Sequence, residues 1–220
     1  MPLLSEIRFG SYLVYSPSGQ SAKSQKSAII CRAVKNDSAI PLESEGGRMA
    51  RVIPHVVQHL AGHLEQSELR DLFRGRPVLV PAPRSSLVKP GTVWPPRIIC
   101  EELVSRGLGA EVQELLERIK AVPKAALQAP ANRPTAIQHF ESLRAISVLH
   151  DPPSILLVDD VVTSGTMLLA SLSRLQAAYP QASVAAFALV RTMSGAEVDA
   201  FLSPCVGTVQ IVEGRCRRRP

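Results

Sequence analysis

The sequence predicts an α/β fold, a mostly parallel sheet flanked by helices. Three observations carry this. Short apolar runs of strand length alternate along the chain with longer stretches of helical periodicity. Hydrophobic residues make up 45% of the 220 residues but aromatics only 4%, so the core is built from Val, Leu, Ile and Ala, which suits strands buried on both faces. The apolar run 154–158 passes through a short polar turn straight into the apolar helical stretch 166–178.

Taken in order, the apolar runs 12–15 and 28–31 are separated by Ser16-Pro17-Ser18-Gly19-Gln20-Ser21 and read as a strand, a loop and a second strand. Residues 36–47 hold Pro41, Gly46 and Gly47 and read as loop. In 48–66, Ile53, Val56, Val57, Leu60 and Leu64 fall on one helical face, with Pro54 tolerable only in the first turn. Residues 77–81 form a short buried strand that ends in the loop 82–86, and the Pro-rich stretch 87–96 is irregular. A helix follows over 97–105 and Gly107 ends it. Residues 111–120 fit strand or helix equally. The stretch 121–135, with Pro123, Pro130 and Pro134, reads as a long mobile loop. Beyond the strand 154–158 and the helix 166–178, strands are expected at 183–190 and 206–212. One domain results: N-terminal strands and loop over 1–47, a core over 48–213, and a basic tail over 214–220.

The net charge of +6 favours an anionic ligand or partner without choosing among phosphorylated metabolites, nucleic acid and acidic proteins. Part of the excess lies in Arg215, Arg217, Arg218 and Arg219, expected as a disordered solubilising end. Cys31, Cys100, Cys205 and Cys216 are far apart with no CxxC pair, which argues against a zinc cluster or a disulfide framework. With neither a signal pattern nor an apolar run long enough for a bilayer, the expectation is a soluble, reduced, cytoplasmic protein that engages no membrane.

The chemistry concentrates in 155–166. An apolar strand ends in Asp159 and Asp160; Val161 and Val162 follow, then Thr163-Ser164-Gly165-Thr166, then a helix. In open α/β sheets ligands sit at the carboxyl ends of strands. A helix start there presents unpaired amides and a positive dipole end, and Gly165 lets a phosphate approach closely. Carboxylates repel phosphate, so the acids should face ribose hydroxyls or Mg2+. An ordinary buried strand with a capped helix accounts for one acid and one hydroxyl, not for two acids and three hydroxyls around a glycine.

This stretch resembles the signature of the type I phosphoribosyltransferases. The resemblance implies that family's fold, with a small N-terminal hood-like segment, and a cytoplasmic transferase of nucleotide metabolism. Such an enzyme binds 5-phosphoribosyl-1-pyrophosphate (PRPP) with Mg2+ and moves phosphoribose to a nitrogen acceptor. Asp159 and Asp160 would hold the ribose hydroxyls and the metal; Thr163, Ser164, Gly165, Thr166 and the Met167 amide would hold the 5-phosphate. The segment Val78 to Ser86 is similar to the pyrophosphate loop of the competence-type (ComF-like) and amidophosphoribosyltransferase branch, which assigns pyrophosphate to Arg84, Ser85 and Ser86. That branch also carries an Arg, Thr and Gln cluster on a closing loop. Arg133, Thr135 and Gln138 match it, making Arg133 catalytic; an alternative alignment uses Arg118, Lys120 and Lys124.

There are departures. The competence-type zinc ribbon and the glutaminase cysteine are missing, so glutamine-dependent chemistry is not supported. Pro90-Gly91-Thr92-Val93-Trp94-Pro95 stands where that branch has an Arg-Gly-Phe-Asn-Gln stretch, which leaves the acceptor open. A catalytically weak PRPP- or nucleotide-binding regulator, partnered with nucleic acid or protein through the basic surface, is the competing expectation, and a homo-oligomer is compatible with either. His55, His59 and His63 form a straight stripe about 12 Å long at 1.5 Å per residue, too spread to converge on a metal. Trp94 is expected to pack its loop or to cap the ligand.

Overall fold

The computed structural model describes residues 3–42, 46–84, 91–123, 132–193, 195 and 197–220. In chain order the elements are β1 (Glu6–Tyr15), α1 (Ala22–Asn36), β2 (Ala39–Leu42), β3 (Arg48–Arg51), α2 (Val52–His63), α3 (Arg70–Phe73), β4 (Val78–Pro81), α4 (Pro95–Ser105), β5 (Leu116–Arg118), α5 (Ala136–Glu141), β6 (Leu143–Ala145), β7 (Ser154–Val162), α6 (Thr166–Ala178), β8 (Ser183–Thr192), β9 (Leu202–Val212) and β10 (Arg215–Arg219). Six strands form the central sheet in the order β10-β9-β1-β8-β7-β4. β1, β8, β7 and β4 run parallel, and β9 and β10 complete the sheet antiparallel.

Period-two alternation along β7 explains the layering. Leu156 and Val158 enter one core with Ile53, Val57 and Leu60 of α2 and Ile99 and Leu103 of α4. Ile155 and Leu157 enter the other, with Leu168, Leu172 and Leu175 of α6. Both faces are covered, so the strand has little need of polar residues until it reaches its carboxyl end. Among the described residues, no helix is long and apolar enough to cross a membrane.

Several local expectations are corrected. Residues 28–31 belong to α1, not to a strand: Ser21 caps this helix by accepting from the Ser24 amide, and Ser24, Ser27, Cys31 and Val34 are buried at helical spacing. The stretch read as loop and helix start holds the hairpin β2–β3, and α2 begins at Val52, which places Pro54 in its first turn. Within the N-terminal segment, β1 sits inside the central sheet between β8 and β9, while β2 and β3 pair as a two-stranded sheet of their own. β7 continues through both aspartates to Val162. The basic tail is ordered as β10, paired with β9 from Arg215↔Val212 to Arg219↔Thr208. α5 and β6 were not foreseen; part of the loop expected over 121–135 (residues 124–131) lies outside the described residues.

Candidate functional site

Parallel strands bring their carboxyl ends to one edge of the sheet, and β7 delivers Asp159 and Asp160 there. A cleft of about 430 Å³ opens at this place. Asp159, Asp160, Thr163, Ser164, Gly165, Thr166, Met167, Arg84 and Arg133 all line it. Ser85 and Ser86, and Lys124 of the alternative alignment, lie outside the described residues.

The turn from β7 to α6 is open to an anion. Gly165 is the N-cap of α6 at φ 78°, and no side chain caps the helix. The first backbone bond of the helix is Leu169 N–H to the Gly165 carbonyl, 2.9 Å. The amides ahead of it therefore line the cleft at the positive end of a thirteen-residue helix. Ser164 Oγ and Thr166 Oγ1 lie 2.8 Å apart and bond to each other at the mouth of the turn. A Cβ on Gly165 would sit 2.4 Å from Val209 Cγ2, so the turn lies flat on β9.

The two aspartates are half-buried at the end of β7. Each accepts an amide from the next residue: Asp160 N–H to Asp159 Oδ1 at 2.9 Å and Val161 N–H to Asp160 Oδ1 at 2.8 Å. Among the described residues, neither acid takes part in a salt bridge. Burial, reinforced by the charge of Asp160, holds the Asp159 carboxyl well above the usual carboxylate range; Lys35, which also lines the cleft, opposes this. Two adjacent carboxylates short of positive charge suit a hard cation or sugar hydroxyls. Among the described residues no three His, Cys, Asp or Glu side chains converge on a metal position. A Mg2+ ion completed by ligand oxygens and water fits this pair, because Mg2+ is commonly held by one or two carboxylates plus substrate phosphates.

Against these acids stand Arg84 and Arg118, which have no carboxylate partner among the described residues. Arg118 is only 5% exposed. Its Nε donates to the Arg84 carbonyl at 2.6 Å, one Nη to Ser142 Oγ, and the other Nη faces the Met167 thioether at 3.2 Å. Burial lowers its pKa to about 10. Arg84 Nη1 and His139 Nδ1 are buried with no hydrogen-bond partner among the described residues, and both residues line the same cleft. Burial and then Arg118 depress the His139 pKa to about 4, so its ring is neutral across the physiological range. A buried polar atom without a partner is costly and rare; a bound anion would satisfy Arg84 Nη1.

Sequence reading left Arg118 as an alternative and did not single out His139 or Lys35. The Thr-x-x-Gln spacing that favoured the other alignment has a local explanation. Thr135 and Gln138 form a capping box on α5, with Gln138 N–H to Thr135 Oγ1 at 3.3 Å and Thr135 N–H to Gln138 Oε1 at 2.8 Å. Arg133 of that segment still reaches the cleft, as an exposed side chain. Trp94 donates from its indole to the Ala82 carbonyl at 2.9 Å and also lines the cleft, so it both packs the loop and faces the ligand space. The histidine stripe lies elsewhere: His59 Nδ1 meets the Tyr12 hydroxyl at 2.5 Å, and the His59 and His63 rings stack at 4.2 Å.

Comparison with protein-family models and with curated proteins gives no match.

Proposed function

We propose that this protein is a phosphoribosyltransferase that binds PRPP and transfers its phosphoribosyl group to a nitrogen acceptor, releasing pyrophosphate. The observation that carries the reading is one cleft with three complementary parts: an uncapped helix start, a carboxylate pair, and three arginines with an unprotonated histidine. A ligand with a terminal phosphate, vicinal hydroxyls and a second, more highly charged phosphate group matches all three. A simple sugar phosphate would leave Arg84 Nη1 unpaired and the buried charge of Arg118 without a counter-ion.

On this reading the amides and hydroxyls of Thr163 to Met167 hold the 5-phosphate, and Asp159 and Asp160 accept from the ribose 2′- and 3′-hydroxyls. Mg2+ held on these two carboxylates would supply charge neutralisation for the departing diphosphate. Arg84, Arg118 and Arg133 draw negative charge to their side of the cleft, favouring cleavage of the C1–O bond. The acceptor nitrogen forms the new bond to C1 and loses its proton. Trp94, standing over the same space, excludes water from the cationic carbon.

Calorimetric titration with PRPP and Mg2+ tests the reading. Wild type is expected to bind, and Asp160→Asn to bind about tenfold or more weakly, as loss of a charged partner requires. Equal binding by both would remove the role given to the acids. Pyrophosphate release measured with purine, pyrimidine and amine acceptors then separates a transferase from a module that binds PRPP without turnover.

A further inference from the structure

The C-terminal hairpin lies behind the phosphate turn and touches three of its four residues. Val209 of β9 fills the space under Gly165. Cys216 of β10 lies close enough to the Thr166 side chain for it to oppose the rise that burial gives the thiol pKa. Arg218 of β10 donates from Nε to the Thr163 carbonyl at 2.7 Å and from Nη2 to the Thr192 carbonyl at the end of β8. Its Nη1 is buried with no hydrogen-bond partner among the described residues.

The direction of the Thr163 bond matters. In a trans peptide the C=O and the following N–H point opposite ways. A carbonyl drawn back onto Arg218 turns the Ser164 N–H the other way, toward the cleft that Thr163 and Ser164 line. The same bond polarises the peptide and sharpens that amide as a donor. Arg218 also places a positive charge behind the turn, and Thr192 shares the guanidinium, so the turn is tied to the sheet.

We infer that Arg218 is a positioning residue for phosphate binding: it aims and polarises the Thr163–Ser164 peptide from behind, and β10 exists in the fold to deliver it. The inference rests on the reading of the turn as a phosphate site. Arg217, the neighbour on the opposite face of β10, is exposed and pairs with Glu213 at 3.6 Å, and so serves as the control.

The test is a titration with ribose 5-phosphate followed by fluorescence of Trp94, the single tryptophan, which faces the cleft. Wild type, Arg217→Gln, Arg218→Lys and Arg218→Gln are compared, with thermal melts and hydrogen exchange of residues 163–167 in parallel. Wild type and Arg217→Gln are expected to bind alike. Arg218→Gln should bind about tenfold more weakly, the scale of one charge-assisted hydrogen bond. Arg218→Lys, which keeps the charge but serves one carbonyl instead of two, should recover part of the affinity while its turn amides exchange faster. A folded Arg218→Gln that binds like wild type overturns the inference and leaves the site reading standing. If Arg218→Gln does not fold, Arg218→Lys decides: wild-type affinity together with wild-type exchange overturns it. Failure of wild type itself to bind ribose 5-phosphate overturns both.

Discussion

Gly165 is where conformational freedom and close packing coincide. Its φ of 78° is costly for any residue with a side chain, and the Cβ position is already occupied by Val209. Gly165→Ala is therefore expected to lose roughly 2–4 kcal/mol, the sum of left-handed strain and overpacking, measured by urea denaturation. His139 gives a pH-dependent counterpart. Its folded pKa of about 4 lies below the ordinary 6.5, so in acid the unfolded chain takes up a proton that the folded chain refuses. Its contribution is present in full above pH 6.5 and is lost as pH falls toward 4. His139→Gln should lack this loss, narrowing the gap between neutral and acid stability by up to about 3 kcal/mol. Denaturation curves at a series of pH values check it; parallel curves for the two proteins would show that the ring is not buried as described.

At the scale of elements, α5 is a six-residue helix whose start depends on the Thr135 and Gln138 capping box. Thr135→Ala is expected to cost about 1 kcal/mol and Thr135→Ser much less, because only the hydroxyl acceptor matters. If Thr135 instead held ligand, the alanine variant would lose affinity at unchanged stability. Thr-x-x-Gln is short enough to serve a cap or a site, and only coordinates separate the two. The same ambiguity explains what else was hidden. Ala28-Ile29-Ile30-Cys31 is apolar over a length that fits strand or helix, and the Ser21 cap that decides for α1 lies outside the run. β3 and β10 are short and arginine-rich, and β2 is a four-residue run interrupted by Pro41, so none of them carries a strand pattern of its own. By contrast the apolar half of β7, its turn and α6 are legible in the sequence, because each carries a local signal: an unbroken apolar run, a glycine among hydroxyls, and a helical apolar face. Arg118 could not be chosen from sequence, since its distinction is burial without a carboxylate partner.

For the whole molecule, the cleft draws on α1, α4, β5, α5, β7, α6 and the residues that follow β4, so a ligand that fills it bridges most of the fold. Binding only the native state stabilises by about 2.7 kcal/mol at a hundredfold excess over Kd, which for a domain of this size is a rise in Tm of roughly 5–10 °C. Arg118 gives that shift a diagnostic form. It is 5% exposed, its partners are a carbonyl, a hydroxyl and a thioether, and no acid among the described residues forms an ion pair with it. A cation kept in this state burdens the free protein, since desolvation of a charge costs several kcal/mol without an ionic partner. Arg118→Met is therefore expected to melt at or above the temperature of the free wild type and to lose most of the rise produced by PRPP and Mg2+. This is the pattern of a residue held for binding at the expense of stability. A structural arginine would behave the other way, with a large fall in Tm in the free protein and an undiminished rise on adding ligand, so one pair of melting curves distinguishes the two.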